Sequence, residues 1–338
     1  MAIFLTATSL AGAAHVATAQ TVTGGLTLGY GNTNIEGVDE NLSVLSFDAM
    51  IDADFGNGLT VGGAASFNNI KIDDLDESLS ASAFGIDGSY RLQNGFRFGA
   101  YLERATLKVN DLDLDFGFAV DTGVSATSYG LSGGFAANAL DVEVFFGATM
   151  TDPDLADNVD IRDLGLVVGY DMADSGHVGA SVVRTRISAE GEDADLMTTG
   201  FAGSYNVDPS FTLFGGVARS TLDFVDADLT TFGIGASYDL NQIAGFSSRV
   251  SLELARSTID LDGDNADLDT VRFGFTVPLG GTGPKVPLNS VASGVLKPRH
   301  SALSSAVLST FLGSCRMRCG RLFKAFARSA LSETLPSC

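Results

Sequence analysis

Cysteine is missing from this chain until position 315, and the three present (Cys315, Cys319, Cys338) crowd the last stretch. Residues before that point therefore hold no disulfide and no thiol chemistry, and no Cys/His set has zinc spacing. Histidine is almost as scarce: His15, His177 and His300 are the full set of three. One lies in an N-terminal leader, one beside a turn and one in the tail, which leaves no histidine suitably placed for a Ser-His hydrolase. The sequence is read as a non-enzyme that needs no cofactor.

Positive charge is also in short supply, with 20 basic against 41 acidic residues and a net charge of −21. Such a chain does not bind nucleic acid, whose phosphates require a basic surface. Long apolar runs are missing too, so no segment reads as a spanning helix, although 45% of residues are hydrophobic. The hydrophobicity is dispersed, as alternating strands disperse it.

Charge is unevenly placed. Eight of the basic residues (Lys285, Lys297, Arg299, Arg316, Arg318, Arg321, Lys324, Arg328) follow Gly280, with Glu333 as the single acid there. A very acidic body thus carries a basic appendix. The opening "MAIFLTATSLAGAAHVATAQ" is apolar and small-residue-rich, and Ala17-Thr18-Ala19 fits an A-x-A cleavage pattern, so residues 1–19 are expected to be a signal peptide. The n-region departs from that pattern in having no Lys or Arg.

What is present is a repeated period of two. "TVTGGLTLGY" sets Val22, Leu26, Leu28 and Tyr30 against Thr21, Thr23, Thr27 and Gly29, and "DTVRFGFTVPLGG" (269–281) sets Val271, Phe273, Phe275, Val277 and Leu279 against Arg272, Gly274, Thr276 and Pro278. Such units are about ten residues long, the length of a tilted membrane strand. Short connections such as "GNG" (56–58) and "QNG" (93–95) alternate with longer acidic segments at 32–43, 69–80, 106–126, 150–160, 188–196, 223–229 and 258–268. That asymmetry is expected of short periplasmic turns and longer outer loops.

The spacing predicts an all-β, antiparallel up-and-down transmembrane barrel over residues 20–280. It has about 14 strands, or 16 if 106–126 hides a further pair. Strands are expected to start at Thr21, Val44, Leu59, Ala81, Phe96, Thr127, Leu140, Ile161, His177, Met197, Phe211, Thr230, Arg249 and Thr270. A soluble β-sandwich would need an apolar interior. Here Asp48, Asp52, Arg91, Arg97, Glu103, Asp141, Glu143 and Glu253 point inward by parity, too many charges for a core.

With these features the chain resembles the Gram-negative general porins, of an alphaproteobacterial type, over roughly residues 20–280. The resemblance implies an outer-membrane, water-filled channel for passive diffusion of ions and small hydrophilic solutes, often a homotrimer, in contact with lipid and lipopolysaccharide. It also implies a third outer loop folded into the lumen around a Phe-Gly, matched here by "LDFGF" (114–118). Asp111, Asp113, Asp115 and Asp121 then become constriction candidates, faced by inward Arg91, Arg97, Glu103, Arg249 and Arg272. The excess of acid in the body leads to an expected cation preference. A non-conducting barrel with an adhesive or structural role is the alternative.

"DLDGDNADLD" (260–269) places Asp260, Asp262 and Asp264 at the first, third and fifth positions of an EF-hand-like loop, but Asn265 and Val271 occupy its sixth and twelfth. The helix–loop–helix reading fails and no metal site is assigned; a solvated acidic loop is the default, with an incidental divalent site left open. Residues 281–338 form a C-terminal extension, a Gly/Pro linker followed by one or two possible helices. Three readings compete for it: an extension that docks on or plugs the barrel, an amphipathic segment drawn to anionic lipid, or, past residue 311, an aberrant continuation of the reading frame.

Overall fold

The computed structural model describes residues 21–36, 41–72, 78–114, 118–153, 159–189, 192–223, 227–241, 245–261, 264–280 and 283–308. The signal-peptide expectation and the last thirty residues, with their three cysteines, lie outside that set.

Fourteen strands follow in order: β1 (Thr21–Ile35), β2 (Asn41–Asp54), β3 (Leu59–Ile72), β4 (Ser78–Arg91), β5 (Phe96–Leu114), β6 (Phe118–Ala137) and β7 (Leu140–Asp152). The second half is β8 (Asp160–Asp171), β9 (Gly176–Ala189), β10 (Glu192–Asn206), β11 (Phe211–Leu222), β12 (Ala227–Asp239), β13 (Arg249–Leu261) and β14 (Asp264–Gly280). Each pairs antiparallel with its neighbours in sequence, and β14 returns to β1 to close the ring. Lipid offers backbone amides no partners, so closure is what allows such a sheet to span.

At the seam Leu26, Leu28 and Tyr30 stand opposite Val277, Phe275 and Phe273. The "DTVRFGFTVPLGG" strand is thus the one that removes the last open edge. On the inner face of that seam two hydroxyl pairs cross it, Thr27 with Thr276 at 2.9 Å and Thr33 with Thr270 at 2.8 Å.

Alternation divides the two faces as the period predicts. Outward Leu28, Tyr30, Leu45, Phe146, Phe201, Phe232 and Phe273 are exposed, while inward Thr27, Asp48, Glu103 and Glu253 are buried. Phe47, Phe67 and Phe84 form an outward aromatic row, with centroid separations of 6.2 and 5.0 Å.

The strands are longer than about ten residues, from 12 in β8 to 20 in β6. Strand β6 begins at Phe118 rather than Thr127, and β14 at Asp264 rather than Thr270. The segments expected as outer loops are largely paired strand because their inward positions continue as aliphatic residues. Residues 106–126 are corrected accordingly: β5 and β6 run on as a hairpin to the pair Leu114–Phe118, with a register shift after Val109. The 260–269 stretch is likewise a tight hairpin, pairing Asp260 with Asn265 and Leu261 with Asp264.

Beyond β14 come two short helices, α1 (Val291–Leu296) and α2 (Ala302–Leu308). No helix among the described residues is long and apolar enough to cross a membrane.

Candidate functional site: the lumen and the segment that crosses it

The tail contacts the barrel through inward-facing residues, which places it inside the lumen. Arg249 (β13) meets it at the entrance, donating to the carbonyls of Gly283 and Pro284 at 3.2 and 2.5 Å, while also pairing with Asp239 at 3.4 Å. Ser237 donates to the Lys285 carbonyl at 2.9 Å. Further in, the Leu288 amide donates to Thr27 Oγ1 at 3.2 Å and the Asn289 side chain to Ser46 Oγ at 3.1 Å.

Helix α1 starts where Ser290 caps it, accepting from the Ser293 amide at 3.1 Å. The amide of Val291 donates to Glu253 Oε1 at 2.9 Å, while the other oxygen of that carboxylate takes Arg272. The helix buries Ala292 and Val295 against Ala202 and Phe214 of the wall. Inward glycines make the room: a β-carbon on Gly200 would lie 2.6 Å from Val295 Cγ2, and one on Gly216 would lie 3.2 Å from Ala292 Cα.

The irregular linker between the helices then crosses toward β2–β5. Lys297 Nζ pairs with Asp52 at 3.5 Å, and Arg299 donates to Ser66 Oγ at 2.8 Å, with its charge felt at Asp48. The His300 ring stacks on Tyr101, its Nδ1 3.5 Å from Glu103 Oε2. Helix α2 is pinned at its start by the Ala302 amide, which donates to Thr185 Oγ1 at 2.9 Å. Thr185 in turn donates to buried Asp163 at 2.5 Å, as does Thr149. Since α2 touches β4, β5 and β6 as well as β9 and β10, the segment spans the lumen between walls.

A cavity of about 820 Å³ remains between wall and tail, lined by Arg91, Arg97, Glu103 and Arg272 together with Asp48, Asp52, Asp87 and Lys297. Four of the expected constriction residues thus share one space. Arg97 is held there by Asp141 at 3.1 Å and Glu143 at 2.6 Å. Arg249 binds the tail instead. Asp111 and Asp113 fall on β5 and Asp121 on β6, in a hairpin that extends past its neighbours' pairing at Ser78–Asn110 and Ser125–Asp152. Asp115 lies outside the described residues.

Two further zones were not foreseen, the first of them sharing Ile70 and Leu268 with the cavity lining. At the outer end of the lumen every strand but β7 points an aliphatic side chain inward, and Ile35, Leu42, Ile70, Leu107, Ile161, Leu196 and Leu268 are buried there. On the outer wall, just above the apolar band, Arg104, Arg162, Arg184, Arg186, Arg219 and Arg256 face outward, each with an acidic partner. Asp195 sits between two of them: hydrogen bonds from Arg184 at 3.0 Å and Arg186 at 3.1 Å hold its carboxyl down at about 2. The tail's residues Lys297, Arg299 and His300, which meet Asp52, Ser66 and Glu103, were not singled out as a site, nor were Asp163 and Glu253. The signal that pointed to them was the acidic body set against a basic tail.

No family model and no curated protein matches this sequence. Among solved structures, the TodX monoaromatic hydrocarbon channel deltaS2 mutant is similar at 10% identity, with a TM-score of 0.51, covering 78% of this chain and 91% of that one. The CymD monoaromatic hydrocarbon channel is similar at 12% identity and a TM-score of 0.50, over 77% of this chain and 89% of that one. The anion-selective porin from Comamonas acidovorans aligns over 77% of this chain and 99% of its own at 10% identity, with a TM-score of 0.48. What the chain shares with them is the fold, a closed antiparallel β-barrel.

Proposed function

We propose that the protein is an outer-membrane channel for small solutes that prefers cations and is closed at rest by its own C-terminal segment. The observation that carries this reading is the route of residues 283–305, which enter beside Arg249 and cross between opposite walls while a cavity stays open beside them. A barrel serving only as a scaffold has no need of a charged chamber. Wall carboxylates such as Asp52 and Asp87 favour cations once the tail moves. The aliphatic zone at the outer end offers apolar contact to small organic cations as well as to inorganic ones.

The outward arginines lie at the level where lipopolysaccharide phosphates would sit, and their guanidinium groups suit phosphate. The outer-membrane location and the contact with lipid belong to this same reading, as does the homotrimer.

The second reading is a permanently closed, non-conducting barrel, favoured by the firm anchoring of the tail at Thr185, Glu253 and Glu103. Planar-bilayer recording in a salt gradient separates the two. Stepwise conductance with a cation-selective reversal potential supports the channel; silence at every voltage and salt supports the closed barrel, and anion selectivity removes the proposed preference.

A further inference from the structure

We infer that the lumen wall carries a receptor track for basic peptide segments, formed by Asp48, Asp52 and Glu103, with Lys297, Arg299 and His300 as its tethered occupants. Lys297 pairs with Asp52 on β2 at 3.5 Å and His300 with Glu103 on β5 at 3.5 Å, while Arg299 between them donates to Ser66 at 2.8 Å, all within one short irregular linker.

The track retains unused capacity. Asp48 is 7% exposed and Glu103 5%, yet Asp48 Oδ2 and Glu103 Oε1 have no hydrogen-bond partner. Buried carboxylate oxygens are costly to leave unpaired. The tethered linker therefore fills the track incompletely, and a free segment with better-placed guanidinium or ammonium groups would gain those bonds. Gly85 lies beside Glu103 and Arg299, where a β-carbon would be in ordinary contact, 3.6 Å from Glu103 Cβ and 3.7 Å from an Arg299 guanidinium nitrogen. Tyr101 and Phe145 supply an aromatic wall beside Glu103 that accepts a flat cationic or imidazole ring.

Tethering gives the tail a high effective concentration, so a free peptide competes poorly against the wild-type chain. Removing the linker's three cationic or protonatable side chains weakens that competition. Opening of the lumen by an incoming peptide rests on the channel reading; binding to the track does not.

The test uses full-length protein in detergent and a dye-labelled peptide copying residues 297–301, followed by fluorescence anisotropy. The K297Q/R299Q/H300Q chain should bind the peptide at least about tenfold more tightly than wild type, as weakening of an intramolecular competitor predicts. Adding D48N and E103Q should abolish the gain. Equal binding to wild type and triple variant, or a gain that survives loss of both wall charges, overturns the inference. A second readout needs no variant: excess unlabelled peptide should speed tryptic cleavage after Arg299 in the wild-type chain, and an unchanged cleavage rate also overturns it. A protein that binds peptide but never conducts would sink the channel reading alone, so the two failures are told apart.

Discussion

His300 lies flat against Tyr101, with ring centroids 3.8 Å apart and planes inclined by 11°. Phe145 closes on the same imidazole edge-on at 4.8 Å, and Glu103 stands at 3.5 Å from Nδ1. A residue of the tail is thus clamped by three residues of the wall, which makes it a sensitive point of tail docking. His300→Ala removes an aromatic contact of about 0.5–1.5 kcal/mol. That energy shifts the docked-to-displaced ratio by up to about tenfold. Single-channel open probability should rise accordingly, and an unchanged value would show that the ring contributes nothing to closure.

Glycine at the wall is a second point of control. Gly200→Val puts side-chain atoms where Val295 of α1 now packs, since even a β-carbon would sit 2.6 Å from Cγ2. Cores that lack room respond to added methyl groups by moving a neighbour or straining, at about 1–3 kcal/mol. The barrel's strand content by circular dichroism should stay the same, while tryptic cleavage after Lys285 and Arg299 becomes faster. Loss of strand signal would mean that the glycine serves the barrel rather than the tail.

Selectivity should follow the wall acids of the chamber. Asp48→Asn with Asp52→Asn is expected to move the reversal potential toward the anion side, because two lumen-facing charges are lost from beside the cavity. Asp111→Asn with Asp113→Asn should leave it unchanged, since both positions lie on the part of β5 that runs past the pairing with β4 at Ser78–Asn110. A shift from the second pair and none from the first would return the constriction to the hairpin.

Acid should leave the outer arginine belt intact over most of its range. Asp195 is held at about 2 by Arg184 and Arg186, below the usual carboxylate value near 3.9 in an unfolded chain. A depressed acid stabilises the folded state fully above the unfolded value and loses that contribution as pH falls through the folded one. The difference in thermal midpoint between wild type and Asp195→Asn should therefore be constant above about pH 4 and vanish toward about pH 2. It will be small, because the group is solvent-screened. A difference that already fades near pH 6 would contradict the pairing.

The barrel was legible because its signal is local. Val22 to Tyr30 and Val271 to Leu279 reveal their outward faces by period alone, and six strands start where the pattern places them, including Leu59 and Arg249. Inward Arg97 and Glu103 were legible for the same reason. The outer extensions were not, because acidic side chains such as Asp267 and Asp269 mask the aliphatic alternation of Leu268 and Ile35. Nor was the lumen site, since its halves lie far apart in sequence: Glu103 meets His300, and Thr27 meets Leu288. Periodicity fixes which way a wall residue points; it carries no record of what enters the space it faces. Only the charge contrast between body and tail hinted at that partner.

The central claim is that residues 283–308 close a channel that is otherwise open. Its most direct test compares single-channel conductance of the full-length chain with that of a chain ending at Gly280, both refolded into planar bilayers. The truncated barrel, whose β1–β14 seam is paired along its length from Thr23–Gly280 to Ile35–Leu268, should show steady cation-selective steps, while the full chain stays closed most of the time. A silent truncated barrel, or a full chain that conducts just as well, would contradict the account.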